Sequence, residues 1–257
     1  MSASRMPTDE ALGRYYGAYY DDAQYRKRGE KVTIGDSRHM GRSLASWMKC
    51  RAKDRCLKVL DFGGGDGTVA AIAVEELLRQ SVIESAEILV VDYNDKIEPR
   101  SDSRVRMGHA KTLDQVVGCD FDVVIASAVM EHIPAGRSTL DQLLRRVRPG
   151  GVFYARTPQV ASFFRVCRPL GIRLDFTFPG HVHDLGQRFW EGCFQAPDLA
   201  PDFKIVLSKP SLVESRIMEA PIRAIVARLF KAPWYLLGRH WSFVGGWEIV
   251  VERRIKS

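Results

Sequence analysis

The sequence predicts an α/β domain built on a doubly wound, mostly parallel sheet, and three observations carry that prediction. Residues 57–68, Leu-Lys-Val-Leu-Asp-Phe-Gly-Gly-Gly-Asp-Gly-Thr, read as a short apolar strand entering a glycine-rich turn, with an alanine-rich helical segment, 69–80, directly behind. Apolar strand-like runs and helical stripes then alternate as far as residue 158, the βαβαβ order of parallel crossovers. Finally, an acid, Asp92, ends the second strand 25 residues past Gly67, where a carboxylate can accept hydrogen bonds from both hydroxyls of a ribose.

Glycines at such a turn let backbone pass close to a ligand, and the helix behind presents free N–H groups. Their spacing narrows the ligand. Counting from Gly63, the third position is Gly65 and the fifth Gly67, but the sixth is Thr68, so the dinucleotide fingerprint is not met. No Gly-Lys-Ser/Thr follows, which excludes a P-loop.

In chain order, residues 8–50 read as helical, with Tyr15, Tyr16, Tyr19, Tyr20 and Tyr25 clustered so that the pairs 15/19 and 16/20 share a face. These rings either pack the segment on the domain or close over a ligand. Residues 34–48 predict a second helix leading into the first strand. After the glycine loop, 87–91 is a buried strand ending at Asp92, and Asp95 reads as a helix cap. Residues 104–107 form a third strand, followed by Gly108-His109-Ala110. The run 121–126 suits the middle of a parallel sheet and leads into Ser127-Ala-Val-Met-Glu-His-Ile-Pro134. Leu140, Leu143, Leu144 and Val147 make a helical stripe over 138–148, which Pro149 stops before a strand at 151–158.

Residues 175–190 are the most chemically loaded stretch after the glycine loop, with His181, His183 and Asp184 together. Nothing nearby in sequence completes a ligand set for His181 and His183, so no metal is expected. Residues 203–207 begin a sixth strand and 247–252 a final antiparallel one. Between them, apolar residues at 217/218, 221/222, 225/226 and 229/230 form a stripe that either packs on the core or lies on a membrane surface.

The chain has 257 residues, 46% hydrophobic, and a net charge of +7 that is uneven. From Arg26 to Lys58 there are eleven Lys or Arg against three acids (Glu30, Asp36, Asp54), and residues 216–257 hold eight against three glutamates. Solvated helix faces account for such excesses as well as anionic partners do. Five scattered cysteines (Cys50, Cys56, Cys119, Cys167, Cys193) without a Cys-x-x-Cys pair indicate neither a disulfide framework nor a zinc site. Without a signal-peptide core or a run of about 20 apolar residues, the expectation is a cytoplasmic protein, with residues 216–241 as a candidate peripheral contact to the inner face of a membrane.

The run Val-Leu-Asp-x-Gly-x-Gly-x-Gly at 59–67 resembles motif I of class I S-adenosylmethionine (SAM)-dependent methyltransferases. Asp92, the 121–134 strand and Arg-Pro-Gly-Gly at 148–151 resemble later elements of the same family, and the likeness covers about residues 57–190. It implies a Rossmann-like seven-stranded sheet, order 3-2-1-4-5-7-6, with the last strand antiparallel and an N-terminal helical cap. The implied division is a cap over residues 1–50 and a SAM-binding domain over 51–257, with a helical insertion at about 215–241. SAM is the implied cofactor, held by Asp61, Gly63, Gly64, Gly65, Asp92, Tyr93, His109 and Ser127. His109 occupies a slot where many members carry an aspartate that reads the adenine amine; an imidazole nitrogen can also accept from that amine.

Residues 175–190 resemble the acceptor-side stretch of members that modify small molecules and glycans. His181, with His132 second, is the implied group that takes the acceptor's proton. The expected activity is methyl transfer to a small-molecule hydroxyl, a saccharide or lipid-linked glycan foremost. An RNA methyltransferase using the basic 26–58 region, and a scaffold that binds SAM or a nucleotide without turnover, remain alternative readings. Against the RNA reading stands the absence of an appended RNA-binding motif, so a nucleic-acid partner is not expected. The sequence does not specify an oligomeric state.

Overall fold

The computed structural model describes residues 37–49, 56–94, 100–171, 181–213 and 221–255, with isolated positions at 2, 6–8, 10, 11, 14 and 97. The tyrosine cluster at 15–25, Asp95, the segment 172–180 and most of the basic 26–58 region lie outside the described residues.

Seven strands form one sheet: β1 (Cys56–Phe62), β2 (Ser85–Val91), β3 (Val105–Ala110), β4 (Phe121–Ser127), β5 (Val147–Gln159), β6 (Phe203–Pro210) and β7 (Gly245–Arg253). Their order is 3-2-1-4-5-7-6, as the family resemblance implies. β1 runs parallel to β2 and β4, β2 to β3, and β4 to β5. β7 is antiparallel to both β5 and β6. Every residue from Phe121 to Ala126 is buried, as a central strand covered on both faces requires.

Because successive side chains alternate between faces, the strands feed two cores. Leu60, Val124, Ala126, Phe153 and Ile249 pack with Leu140 and Leu144 of α3 (Gly136–Arg146) and with Trp190 and Phe194 of α5 (Gln187–Gln195). On the other face, Val59, Ile88, Ile125 and Tyr154 pack with α1 (Ser37–Met48) and α2 (Thr68–Arg79). α1 and α2 approach closely at Gly41, where a β-carbon would meet Ile72 Cγ2 at 2.6 Å. Met40, Leu44, Ala45 and Met48 of α1 are fully buried there, so α1 is part of the domain core. Two short helices, α6 (Pro221–Lys231) and α7 (Trp234–Leu237), lie between β6 and β7.

Two boundaries around the sheet edge and one helix differ from expectation. β3 continues through Gly108, His109 and Ala110, because their backbones pair with Leu89, Val90 and Val91. α3 ends at Arg146, ahead of Pro149, because Val147 already pairs with Phe121 and opens β5. A helix that periodicity alone does not predict, α4 (Ala161–Cys167), follows β5. Asp184 holds its start, accepting from the Val160 and Ala161 amides at 2.8 and 2.9 Å.

Trp190 and Trp247 are the largest side chains with no exposure; Trp190 is tilted against Phe153, stacked on Phe194, and donates Nε1–H to Thr157 Oγ1 at 2.9 Å. Trp190→Ala is expected to lower stability by about 3–5 kcal/mol, seen as a lower urea midpoint at unchanged slope.

Candidate functional site

The carboxyl ends of β1, β2, β4 and β5 meet along one edge, where ligands of doubly wound sheets bind. At the end of β1 the chain turns through Gly63 and Gly65 at φ +70° and +61°, a region costly for residues with a β-carbon. The Gly63 N–H donates to the Val91 carbonyl at 2.8 Å, and the Gly65 N–H to Asp92 Oδ2 at 2.9 Å. Asp92 Oδ1 accepts from the Asn94 amide at 2.9 Å. Each Asp92 oxygen thus has one donor and keeps a further lone pair for a ligand hydroxyl. A β-carbon on Gly65 would enter open space, whereas one on Gly64 would strike the Asp61 carboxylate beneath the loop.

Asp61 is 4% exposed. Burial, and then the neighbouring Asp92 and Asp66 carboxylates, push its pKa up to about 7. A cationic ligand group above this loop would offset that charge, and the Asp92 lone pairs suit a diol. The Ser127 hydroxyl, at the end of β4, is buried with no hydrogen-bond partner. These features fit a nucleoside that carries a charged amino acid, as SAM does. His109, on β3, donates Nε2–H to the Asp92 carbonyl at 2.9 Å, which leaves Nδ1 as its acceptor. Tyr93, just past Asp92, is exposed at the rim.

Beyond Ser127 the chain passes through Ala128 at φ +56°, a strained conformation for alanine, and folds into a 3₁₀ turn over Met130–His132. Glu131, within this turn, is 1% exposed. Burial raises its pKa to about 8, against the opposing pull of the Arg156 charge. Its main-chain carbonyl accepts from the Val182 and His183 amides at 2.8 and 3.1 Å, which ties residues 181–183 to the end of β4. The His132 and His181 rings meet edge to face, centroids 4.6 Å apart. Burial, then the neighbouring His132, lowers the His181 pKa to about 4.

The structure therefore brings together Asp61, Gly63, Gly64, Gly65 and Asp92 at one end of the edge, and His132 with His181 at the other, with Ser127 ending the strand that leads to them. His183 does not join His181 in a site. It donates Nε2–H to the Ile133 carbonyl at 3.0 Å and accepts at Nδ1 from the Ser2 hydroxyl at 2.9 Å, which makes it a loop fastener. Sequence reasoning leaves Glu131 either orienting its loop or touching substrate or cofactor, and its burial is visible only in the fold. Arg156, in register with Ser127, escapes sequence reasoning because it sits on an apolar strand, and its charge acts on Glu131. The sequence signal for both is their position at the carboxyl ends of β4 and β5. Surface recesses of about 370 and 340 Å³ lie elsewhere, around Lys58 and Arg106 and around Lys204 and Arg254, and hold no catalytic grouping.

A family model described as "Methyltransferase domain" matches residues 36–201, and the chain belongs to that family. The class is that of SAM-dependent methyltransferases of class I, as the resemblance to motif I implied. Among similar proteins, a trans-aconitate 2-methyltransferase of Azoarcus sp. (strain BH72) is 27% identical over 54% of this chain and 51% of its own length. A ubiquinone biosynthesis O-methyltransferase of Pseudomonas entomophila (strain L48) is 30% identical over 43% and 48%. The chain thus spans about half the length of the curated relatives it matches. Among solved structures, the magnesium protoporphyrin IX methyltransferase of Synechocystis PCC 6803 with bound S-adenosylhomocysteine (SAH) superposes with TM-score 0.54 at 13% identity, covering 95% of both chains. The [4+2]-cyclase SpnF superposes with TM-score 0.54 at 14% identity over the whole of both chains. At these identities the likeness is one of fold.

A raised Asp61 pKa means that the folded protein holds this proton more tightly than the unfolded chain. Its contribution to stability is complete below about pH 4 and lost as pH rises through about 7. In the absence of ligand, denaturant melts from pH 4 to 8 should show this loss, up to about 4 kcal/mol, and Asp61→Asn should flatten it.

Proposed function

We propose that this protein is a SAM-dependent methyltransferase acting on a hydroxyl of a small-molecule acceptor, with saccharides and lipid-linked glycans first among the acceptors to screen. The observation that carries the reading is one sheet edge holding both the Gly63–Asp92 cradle and the His132–His181 pair, at the ends of neighbouring strands. In this reading residues 1–50 form an N-terminal cap whose last helix, α1, is packed into the core of a SAM-binding domain of 51–257. The names of the sequence relatives support a small acceptor, and one specifies transfer to oxygen.

Bound SAM supplies a methyl group on a sulfonium, already activated for in-line displacement. The chain's task is to align the acceptor and exclude water. Asp92 holds the ribose hydroxyls, and Asp61 with the Gly63–Gly65 backbone holds the amino-acid portion. Tyr93 and His109 border the adenine, and Ser127 lies between cofactor and acceptor. As the new C–O bond forms and the S–CH3 bond breaks, the acceptor hydroxyl must lose its proton, and His132 and His181 activate that hydroxyl.

A lipid-linked acceptor is supported by the surface of α6 and α7. Ile222, Leu229, Tyr235, Leu236 and Leu237 are each more than half exposed, an apolar ridge carried by two consecutive helices. Arg228 lies on α6 and Arg239 in the 3₁₀ turn directly after α7. No helix among the described residues is long and apolar enough to cross a membrane, so contact would be peripheral.

Calorimetric titration with SAM, SAH and NAD tests the first part: micromolar binding of SAM and SAH without NAD is expected, and NAD binding alone overturns it. Asp92→Ala should weaken SAM binding by about tenfold or more. His181→Ala should lower kcat by about a hundredfold while the SAM Kd stays within about twofold; equal losses in both would remove His181 from the acceptor side. Co-sedimentation with vesicles containing phosphatidylglycerol should be reduced several-fold by Leu236→Ser with Leu229→Ser, and unchanged sedimentation would leave the ridge without a lipid role.

A further inference from the structure

We infer that Glu131, His132 and His181 form a binding site for a first-row divalent cation such as Zn²⁺ or Mn²⁺, which holds and acidifies the acceptor hydroxyl. This inference rests on the methyltransferase reading and specifies how the histidine pair activates its substrate. The expectation of no metal rested on His181 and His183 as the only pair close in sequence. The folded chain offers a different set.

One side-chain ligand atom from each of Glu131, His132 and His181 lies within 4.8 Å of the other two. His132 Nε2 is 4.0 Å from Glu131 Oε1. Two imidazoles and one carboxylate suit borderline first-row metals better than magnesium or calcium, which favour oxygen ligands throughout. Three protein ligands also leave positions open for a substrate oxygen, the pattern of a reactive rather than a structural centre. In a tetrahedral zinc site, bond lengths near 2.1 Å put neighbouring ligand atoms about 3.4 Å apart. Bound metal would therefore draw the three groups inward by rotation of their side chains.

Glu131 supplies the independent observation. Its side chain is almost completely buried, yet Oε2 has no hydrogen-bond partner. A buried carboxylate oxygen left unpaired is costly, and a coordinated cation removes that cost. The surrounding backbone also pre-organises the set: the Val182 and His183 amides both donate to the Glu131 carbonyl, so His181 is clamped to the residue whose carboxylate it would join. His183, tied to Ile133 and Ser2, is held apart from the ligand set.

Chemically the step is balanced without further reagents. A hydroxyl on the cation loses its proton to water at a far lower pH than a free alcohol. Its oxygen then forms the C–O bond as the S–CH3 bond breaks, leaving a neutral thioether and one proton in solvent.

The test uses the full chain, stripped with EDTA and dialysed, then titrated with Co²⁺ and Zn²⁺. One equivalent of Co²⁺ should bind with visible absorption bands, and Zn²⁺ should displace it. Glu131→Gln, nearly the same in shape, and His181→Ala should each weaken cobalt binding by about tenfold or more, with the SAM Kd within about twofold of the parent. Thermal melts should show that both variants fold. Absence of saturable cobalt binding in the unmodified chain, or equal binding in all three proteins, overturns the inference. Full methylation by the stripped protein overturns it too, and leaves the methyltransferase reading standing. Failure to bind SAM sinks that reading independently of the metal result.

Discussion

Two hydrogen bonds from the glycine turn to the end of β2 set the geometry of the whole sheet edge. The Gly63 N–H reaches the Val91 carbonyl and the Gly65 N–H reaches the Asp92 carboxylate, so the turn and the second strand are locked together. Both donors depend on positive φ values that a side chain would strain. The lock also concentrates charge: Asp61, Asp66 and Asp92 surround one short loop within a chain whose net charge is +7. Three carboxylates repel a pyrophosphate and attract a cation. Electrostatics and glycine spacing thus exclude the same ligand by independent routes, and both leave room for a cationic nucleoside.

The opposite end of the edge is organised by backbone as well. Glu131 lends its main-chain carbonyl to two amides of the 181–183 segment, and Asp184 returns the link by accepting from the amides that open α4. The Leu185 carbonyl accepts from the Thr157 hydroxyl, which itself accepts from Trp190. The acceptor-side loop is therefore fastened to β4, to β5 and to the larger core through hydrogen bonds that leave the His181 ring uncommitted by the scaffold. Side chains aimed by fixed backbone hold their geometry better than side chains aimed by other side chains, and methyl transfer rewards such alignment.

Much of this was legible in the sequence, for identifiable reasons. Val59, Leu60, Val123 and Val124 are strand residues in a run whose local pattern agrees with its buried position, and the strand order follows once the glycine loop assigns the family. The place of Asp92 beside the glycine turn was legible because it depends on one strand end and a spacing. The boundary at Arg146 was not, because Val147 is equally good at continuing a helical stripe and at opening a strand; only pairing with Phe121 decides. The continuation of β3 through His109 was hidden for the same reason, its strand character coming from Val90 beside it. The approach of His132 to His181 was hidden because 49 residues separate them, and nothing local in either segment refers to the other.

The fold alone does not choose the reaction, since the same architecture supports a [4+2]-cyclase over its full length. What distinguishes one chemistry from another must lie where the strands end on the acceptor side, because the cofactor half of the edge is built mainly from backbone and shared acids. In this chain that region holds a buried carboxyl group with an unpartnered oxygen, two touching imidazoles and a strained residue, all between Ser127 and His181. Two of these features cost folding free energy: burial of Glu131 without a full set of hydrogen bonds, and Ala128 in the left-handed region. A scaffold needed only to hold SAM would gain stability by replacing Glu131 with an apolar residue and Ala128 with glycine. The glycine loop carries a cost of its own in the buried Asp61, which a cationic cofactor would offset; the cost beyond Ser127 has no such partner in the cofactor, and that is the physical support for the proposed acceptor side.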